Sequence, residues 1–213
     1  PLPASTQAWG VAYGDLLLMT SGDNYFLCTS TDSIVWTLRT TSLDDNREMF
    51  YDGKGTWLVG GRGSTNGLVT STDSIHWKRR TLGATLSTQT GFAYDGSTYV
   101  VGTYISNTGK SNGLSSSTDT IHWTKRTIGF GSLNTKKVNY NYGTLSFYVV
   151  GEGNGLFAST DAIHWGKRTV PFSNSNIIYS YSTGYNQHVI GSKDGIATST
   201  DSIHWTKRTH NFN

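Results

Sequence analysis

The chain has 213 residues, of which 15% are charged and 35% hydrophobic, with a formal net charge of +3 and a pI of about 9.0. So mild a basic excess does not imply nucleic acid as a partner. The single cysteine, Cys28, excludes an intrachain disulfide and any cysteine-based metal site, and no stretch reaches the roughly 18 apolar residues of a membrane span.

The opening Pro-Leu-Pro-Ala-Ser lacks the charged-then-apolar order of a signal peptide. Glycine (25), tyrosine (12) and tryptophan (7) are abundant and proline (3) is scarce, which suits an all-β chain with many tight turns. No window sustains a 3.6-residue period, so long helices are not expected.

Taken in order, the predicted elements repeat. The first unit has Trp9–Gly14, Leu17–Met19, Phe26-Leu-Cys-Thr and then STDSIVWTLRT from Ser30. The second has Met49–Gly53, Trp57-Leu-Val-Gly60, Gly67-Leu-Val-Thr and STDSIHWKRRT from Ser71. The third has Phe92–Gly96, Tyr99-Val-Val-Gly102, Gly113-Leu-Ser-Ser and STDTIHWTKRT from Ser117. The fourth has Val138–Gly143, Tyr148-Val-Val-Gly151, Gly155-Leu-Phe-Ala and STDAIHWGKRT from Ser159. The fifth has Ile177–Tyr181, His188-Val-Ile-Gly191, Gly195-Ile-Ala-Thr and STDSIHWTKRT from Ser199.

A phrase returning every 40–46 residues or so marks one supersecondary unit copied five times. Each unit holds four segments of strand length separated by turn signals, among them Asp52-Gly53 and Asp95-Gly96, which read as hairpin turns. Four short antiparallel strands repeated radially make a β-propeller blade. The expected fold is therefore an all-β, five-bladed β-propeller with four antiparallel strands per blade. It forms a single domain over 1–213, with blades at about 5–41, 42–83, 84–129, 130–171 and 172–213. An open solenoid would need polar caps, and the terminal units resemble the middle ones. Every blade is built from contiguous sequence, so closure is expected to rest on packing between the first and fifth blades.

Ser-x-Asp followed by tryptophan four residues later, once per unit, resembles the Asp-box, or bacterial neuraminidase repeat, of sialidases and many non-enzymatic propellers. The resemblance implies a structural role. Asp32, Asp73, Asp119, Asp161 and Asp201 would accept backbone N–H bonds in the turn between the third and fourth strands. Trp36, Trp77, Trp123, Trp165 and Trp205 would fill the space between blades, each withdrawing about 150–250 Å² from water. The family usually places glycine one or two residues after the Asp. Here Ser33, Ser74, Thr120, Ala162 and Ser202 stand there, followed by isoleucine. The functional alternative for the phrase is a ring of basic sites for an acidic polymer, made from His76, His122, His164 and His204 with Arg80, Arg126, Arg168 and Arg208. One histidine per blade does not converge on a metal.

Sialidases also carry six blades, an Arg-Ile-Pro motif, an arginine cluster and a Tyr–Glu nucleophile pair. This chain has five units and no Arg-Ile-Pro, only Arg47 and Arg62 outside the phrases, and only Glu48 and Glu152 as glutamates. It is expected not to be an enzyme and to need no cofactor or metal.

Antiparallel order puts the Ser-x-Asp turns on one face and the more variable loops on the other. Those loops are rich in Asn, Ser, Thr and Gly with occasional aromatics, and the candidate ligand residues on them are Arg62, Asn66, Tyr104, Asn107, Asn112, Phe130, Asn154, Lys193 and Asp194. The expected function is a non-enzymatic binding propeller, lectin-like in glycan recognition or surface adhesion. The alternative is a structural propeller of a phage or virus tail, fibre or other surface assembly, and a weaker one is a sialidase-like glycoside hydrolase. Partners would be glycans or a protein of that assembly, without nucleic acid or membrane insertion, and with homo-oligomerisation open. The expected location is extracellular or on a virion surface.

Overall fold

The computed structural model describes residues 8–15, 17–21, 26–62, 67–82, 88–104, 113–128, 135–153, 155–173, 177–184 and 187–209. Twenty strands form five four-stranded antiparallel sheets, each in simple sequence order. Blade 1 contains β1 (Ala8–Tyr13), β2 (Leu17–Ser21), β3 (Phe26–Ser30) and β4 (Thr37–Thr40), and blade 2 contains β5 (Asp45–Tyr51), β6 (Trp57–Arg62), β7 (Leu68–Ser71) and β8 (Lys78–Arg80). Blade 3 contains β9 (Thr88–Tyr94), β10 (Tyr99–Tyr104), β11 (Leu114–Ser117) and β12 (Thr124–Arg126). Blade 4 contains β13 (Thr135–Asn141), β14 (Ser146–Gly151), β15 (Gly155–Ser159) and β16 (Gly166–Arg168). Blade 5 contains β17 (Ile178–Gly184), β18 (Gln187–Ser192), β19 (Gly195–Ser199) and β20 (Thr206–Arg208). The chain is thus five propeller blades of four antiparallel strands.

Strand pairing corrects one local expectation. Trp57, Tyr99 and His188 each pair with the serine that opens the phrase, and in blade 4 that place belongs to Phe147 rather than Tyr148. Both faces of β14 are buried, so the alternation that would betray a one-residue slip is missing from the sequence. The Asp52-Gly53 and Asp95-Gly96 pairs sit in hairpin loops of five and four residues, 52–56 and 95–98. Asp52 Oδ1 accepts the N–H groups of Lys54 and Thr56, and Asp95 Oδ1 those of Ser97 and Thr98, so the carboxylates organise these wider loops.

Among the described residues the core is divided into four seams, one between each pair of consecutive blades. Leu27, Leu43, Met49, Trp57 and Val59 fill the seam between blades 1 and 2. Leu58, Leu68, Leu82, Tyr99, Val101 and Trp123 fill that between blades 2 and 3. Val100, Leu114, Ile128, Val138, Phe147 and Phe157 fill the third, and Tyr148, Leu156, Val170, Ile178, Tyr181 and Ile190 the fourth. Leu43, Leu82, Ile128 and Val170 each come just after a fourth strand and plug the next seam, so the inter-blade linker supplies core. Hydroxyl and amine bonds between neighbouring blades reinforce this. Tyr51 donates to Asp15 at 2.8 Å, Tyr99 to Asp52 at 2.6 Å, and Lys54 to the Gly96 carbonyl at 2.8 Å.

No fifth seam joins blade 5 to blade 1 among the described residues, so the expected closing contact is not found there. The first strands meet in series, β1 with β5, β5 with β9, β9 with β13 and β13 with β17. Val11 is 67% exposed, whereas its register equivalents Met49, Phe92, Val138 and Tyr181 are 7%, 8%, 0% and 5% exposed. On the far side of blade 5, Val189, Gly191 and Ile196 stand where blade 4 buries Tyr148, Val150 and Leu156.

At the fourth seam His188 is buried, with its Nδ1 2.6 Å from the Tyr181 hydroxyl and its ring beside those of Tyr148 and Trp205. Burial pushes its pKa below the ordinary histidine value, against the opposing pull of Asp201. The unfolded chain therefore binds a proton more readily, so stability is full above the ordinary value of about 6.5 and falls as pH drops through and below it. Thermal unfolding followed from pH 7.5 to 5 should show this loss, and His188→Phe, which copies Phe147 of blade 4, should flatten it.

Candidate functional site

Each phrase folds into the same turn. Ser30 Oγ accepts the Ser33 N–H at 2.9 Å and donates to Asp32 Oδ1 at 3.1 Å, and Asp32 Oδ1 accepts the N–H groups of Ile34 and Val35, both at 2.8 Å. Asp73, Asp119, Asp161 and Asp201 repeat the two backbone bonds at 2.8 Å in every case. The residue after each Asp takes a left-handed φ: Ser33 64°, Ser74 58°, Thr120 61°, Ala162 59° and Ser202 60°. Side chains thus occupy the conformation that glycine adopts most readily.

In blades 2 to 5 the histidine of the phrase turns back on its own aspartate. His76, His122 and His164 place Nδ1 2.7 Å from Oδ2 of Asp73, Asp119 and Asp161, and His204 is 2.6 Å from Asp201. That bond first, then the two backbone N–H groups, holds these four carboxyls well below the usual range. Asp32, whose blade has Val35 instead of histidine, is lowered mainly by the backbone bonds alone. The turns therefore keep their full contribution above the ordinary carboxylate value of about 3.9 and lose it only as pH falls toward the lower folded values. His122→Val should raise the Asp119 pKa toward that of Asp32 while leaving it below the ordinary value, as read by ¹³C NMR titration of the carboxyl carbons.

The tryptophans lie in the seams toward the preceding blade, Trp77, Trp123, Trp165 and Trp205 in successive seams, with Trp123 buried. Trp36, in the first blade, is half-buried. On the outer strands Arg39, Arg80, Arg126 and Arg208 donate Nε to Thr29, Thr70, Ser116 and Thr198 at 3.0, 2.7, 2.7 and 2.7 Å. Blade 4 has Ala158 at this position, and the buried Nε of Arg168 has no acceptor. Ala158→Thr should restore the bond and stabilise the protein by about 0.5–1.5 kcal/mol in urea unfolding.

Where one blade's phrase meets the next, a polar groove opens, and it is built twice from corresponding residues. Between blades 2 and 3 it measures about 420 Å³, and between blades 3 and 4 about 270 Å³. Hydroxyls line the floor of both: Thr56, Thr70, Ser71 and Thr72 in the first, Thr98, Ser116, Ser117 and Thr118 in the second. His76 and Arg80 stand on one wall of the first groove, as His122 and Arg126 do in the second. The following blade supplies the other wall, Asp119 and Ile121 in one case and Asp161 and Ile163 in the other. The first groove has Lys78 where the second has Thr124, and Asp73 and Thr120 line the first without counterparts in the lining of the second. At the fourth seam the composition changes to Asn141, Gly143, Thr144, Thr183, Gly184, His188 and Thr200 around a cleft of about 200 Å³.

The sequence-predicted ligand residues fall mostly elsewhere. Asn66, Asn107, Asn112, Phe130 and Asn154 lie outside the described residues, as do the side chains of Arg62 and Tyr104, whose backbones end β6 and β10. Lys193 and Asp194 form the β18–β19 turn, where the Asp194 N–H donates to Ser192 Oγ and the Ser173 hydroxyl donates to Asp194 Oδ2 at 3.3 Å. The grooves use Thr70, Thr72, Lys78 and Ile121, which were not singled out. The sequence signal for two of them is that the threonine of Thr72 and the isoleucine of Ile121 recur in every phrase beside the Asp and Trp, whereas Thr70 precedes the phrase and Lys78 is peculiar to the second.

The chain matches no protein-family model, and no curated protein is similar to it in sequence. Solved structures do resemble it in fold. A catalytically inactive variant of virginiamycin B lyase from Staphylococcus aureus, with quinupristin, matches with a TM-score of 0.79 at 10% identity, over 100% of this chain and 73% of that one. An extracellular domain from B. thetaiotaomicron matches with a TM-score of 0.72 at 18% identity, over 96% of this chain and 28% of that one. PorZ, a surface component of the type-IX secretion system of Porphyromonas gingivalis, matches with a TM-score of 0.67 at 16% identity, over 92% of this chain and 32% of that one. These neighbours are β-propeller proteins. The chain spans about a third or less of the latter two.

Proposed function

We propose that the protein is a non-enzymatic, lectin-like propeller of a cell or virion surface that binds glycans at several equivalent sites. The observation that carries this reading is the groove formed twice by the same set of hydroxyls, imidazole, guanidinium and aliphatic side chain. Hydroxyls and cationic donors beside an exposed isoleucine match a sugar ring, which has polar edges and an apolar face. Repetition along one molecule turns weak single sites into stronger attachment to a polymeric ligand. The Asp-box resemblance and the surface-associated neighbours support the same setting. Both glutamates are ion-paired, Glu48 to Lys137 at 3.7 Å and Glu152 to Lys136 at 3.4 Å, which fits poorly with a free acid/base pair. A glycan array probed with multivalent protein should show saccharide-dependent binding, and silence across the array would overturn the reading.

The uncovered face of blade 1 favours a second reading, as an assembly propeller. Val11 and Tyr13 are exposed there beside the half-buried Trp36. The occupant that internal repetition points to is a blade 5 from a second copy, since every other blade already presents this face to the blade before it. Sedimentation velocity across concentration would show self-association abolished by Val11→Asp, and a monomer throughout would dismiss it.

A further inference from the structure

We propose that the seam grooves select acidic sugars, with the ring's carboxylate or sulfate held by Arg80 and Lys78 in one groove and by Arg126 in the other. This rests on the glycan-binding reading above and assigns its ligand class. The outer strands carry ten of the chain's 17 lysines and arginines, on the rim that these grooves open from. The charges within each groove are unequally satisfied. Asp73 and Asp119 in the first groove and Asp161 in the second are each already engaged by two backbone N–H groups, a serine hydroxyl and a histidine. Arg80 and Arg126 spend only Nε, and on neutral hydroxyls. Among the described residues neither they nor Lys78 are ion-paired. Each groove therefore combines ionised carboxylates whose acceptor positions are already filled from within and a guanidinium that is fixed in direction yet unpaired, and an anion reaching that guanidinium gains a charge-assisted bond.

Orientation follows from the same walls. The Nε–H···Oγ bond of 2.7 Å fixes each guanidinium plane, leaving its outer edge for a carboxylate or sulfate. Thr72 and Thr118 offer hydroxyls to the ring, and Ile121 and Ile163, about half exposed, offer an apolar surface to its face. Lys78 adds a second cation to the groove between blades 2 and 3, making it the stronger of the two sites.

The test is isothermal titration of the whole chain with a galacturonate oligomer, a sulfated galactan oligomer and the matched neutral galactan oligomer. Both acidic oligomers should bind about tenfold or more tightly than the neutral one, as a charge-assisted contact requires. Arg80→Gln combined with Arg126→Gln should remove that preference, with unfolding temperature confirming the fold. Thr124→Lys should strengthen binding at the second groove and Lys78→Thr weaken it at the first, two exposed exchanges that leave the seams intact. Preference for only one of the acidic oligomers still supports the assignment and names the anion. Equal binding of neutral and acidic oligomers, unaffected by the arginine variants, overturns the acidic selectivity and leaves the glycan reading standing. Binding of none of them overturns the selectivity, and a silent array then removes the glycan reading too.

Discussion

Truncating Phe147 to alanine is expected to lower the unfolding free energy by about 3–5 kcal/mol, while Val11→Ala changes it by no more than about 0.5 kcal/mol. Phe147 is fully buried in the seam between blades 3 and 4, against Tyr140 with ring centroids 4.8 Å apart. Its removal loses both the transfer free energy of the ring and the contacts around the cavity left behind. Val11 occupies the strand position that is buried in the other four blades, yet is 67% exposed, with no neighbouring blade covering it among the described residues. Urea unfolding of the two variants separates a series of four seams from a ring of five. In a closed ring Val11→Ala would cost nearly as much as the same loss at Val138.

Ser33→Gly is expected to stabilise the protein by about 0.5–1 kcal/mol, the strain relieved less the added freedom of glycine when unfolded, and Ala162→Gly to leave it nearly unchanged. Both residues hold a left-handed φ, 64° and 59°, that costs an L side chain conformational energy which glycine avoids. Ser33 is exposed, so its side chain gives up little on removal, and its N–H bond to Ser30 Oγ survives. Ala162 is fully buried in the third seam, so the strain relieved is offset by a lost methyl contact and by the added freedom of glycine when unfolded. Thermal or urea unfolding of the two variants side by side would show the difference.

The five blades were legible because the phrase STDSIHWTKRT recurs with its Asp and Trp intact, and each recurrence must end a unit of similar length. The one-residue slip at Phe147–Tyr148 was not legible, because two adjacent aromatics on a strand buried on both faces fit either register. The seam plugs Leu43, Leu82, Ile128 and Val170 follow an Arg-Thr pair closely each time, but a single apolar residue in a linker carries no period to distinguish it. The grooves were hidden for a different reason. Each is assembled from two blades, so Arg80 and Asp119 become neighbours only once the blades are side by side. What looked like a repeated fastener is also, in pairs, the lining of a repeated groove. The variable loops remained attractive because loops commonly carry function, and most of their candidate residues lie outside the described ones.

The central claim is that the phrase both fastens each blade and lines, with its neighbour, the place where ligand binds. The most direct measurement is a backbone-amide NMR map of the whole protein titrated with the galacturonate oligomer. The account predicts perturbations clustered at Ser71–Arg80 with Asp119–Ile121, and at Ser117–Arg126 with Asp161–Ile163. Perturbations confined to the opposite loops, 61–66, 103–112 and 192–194, would contradict it.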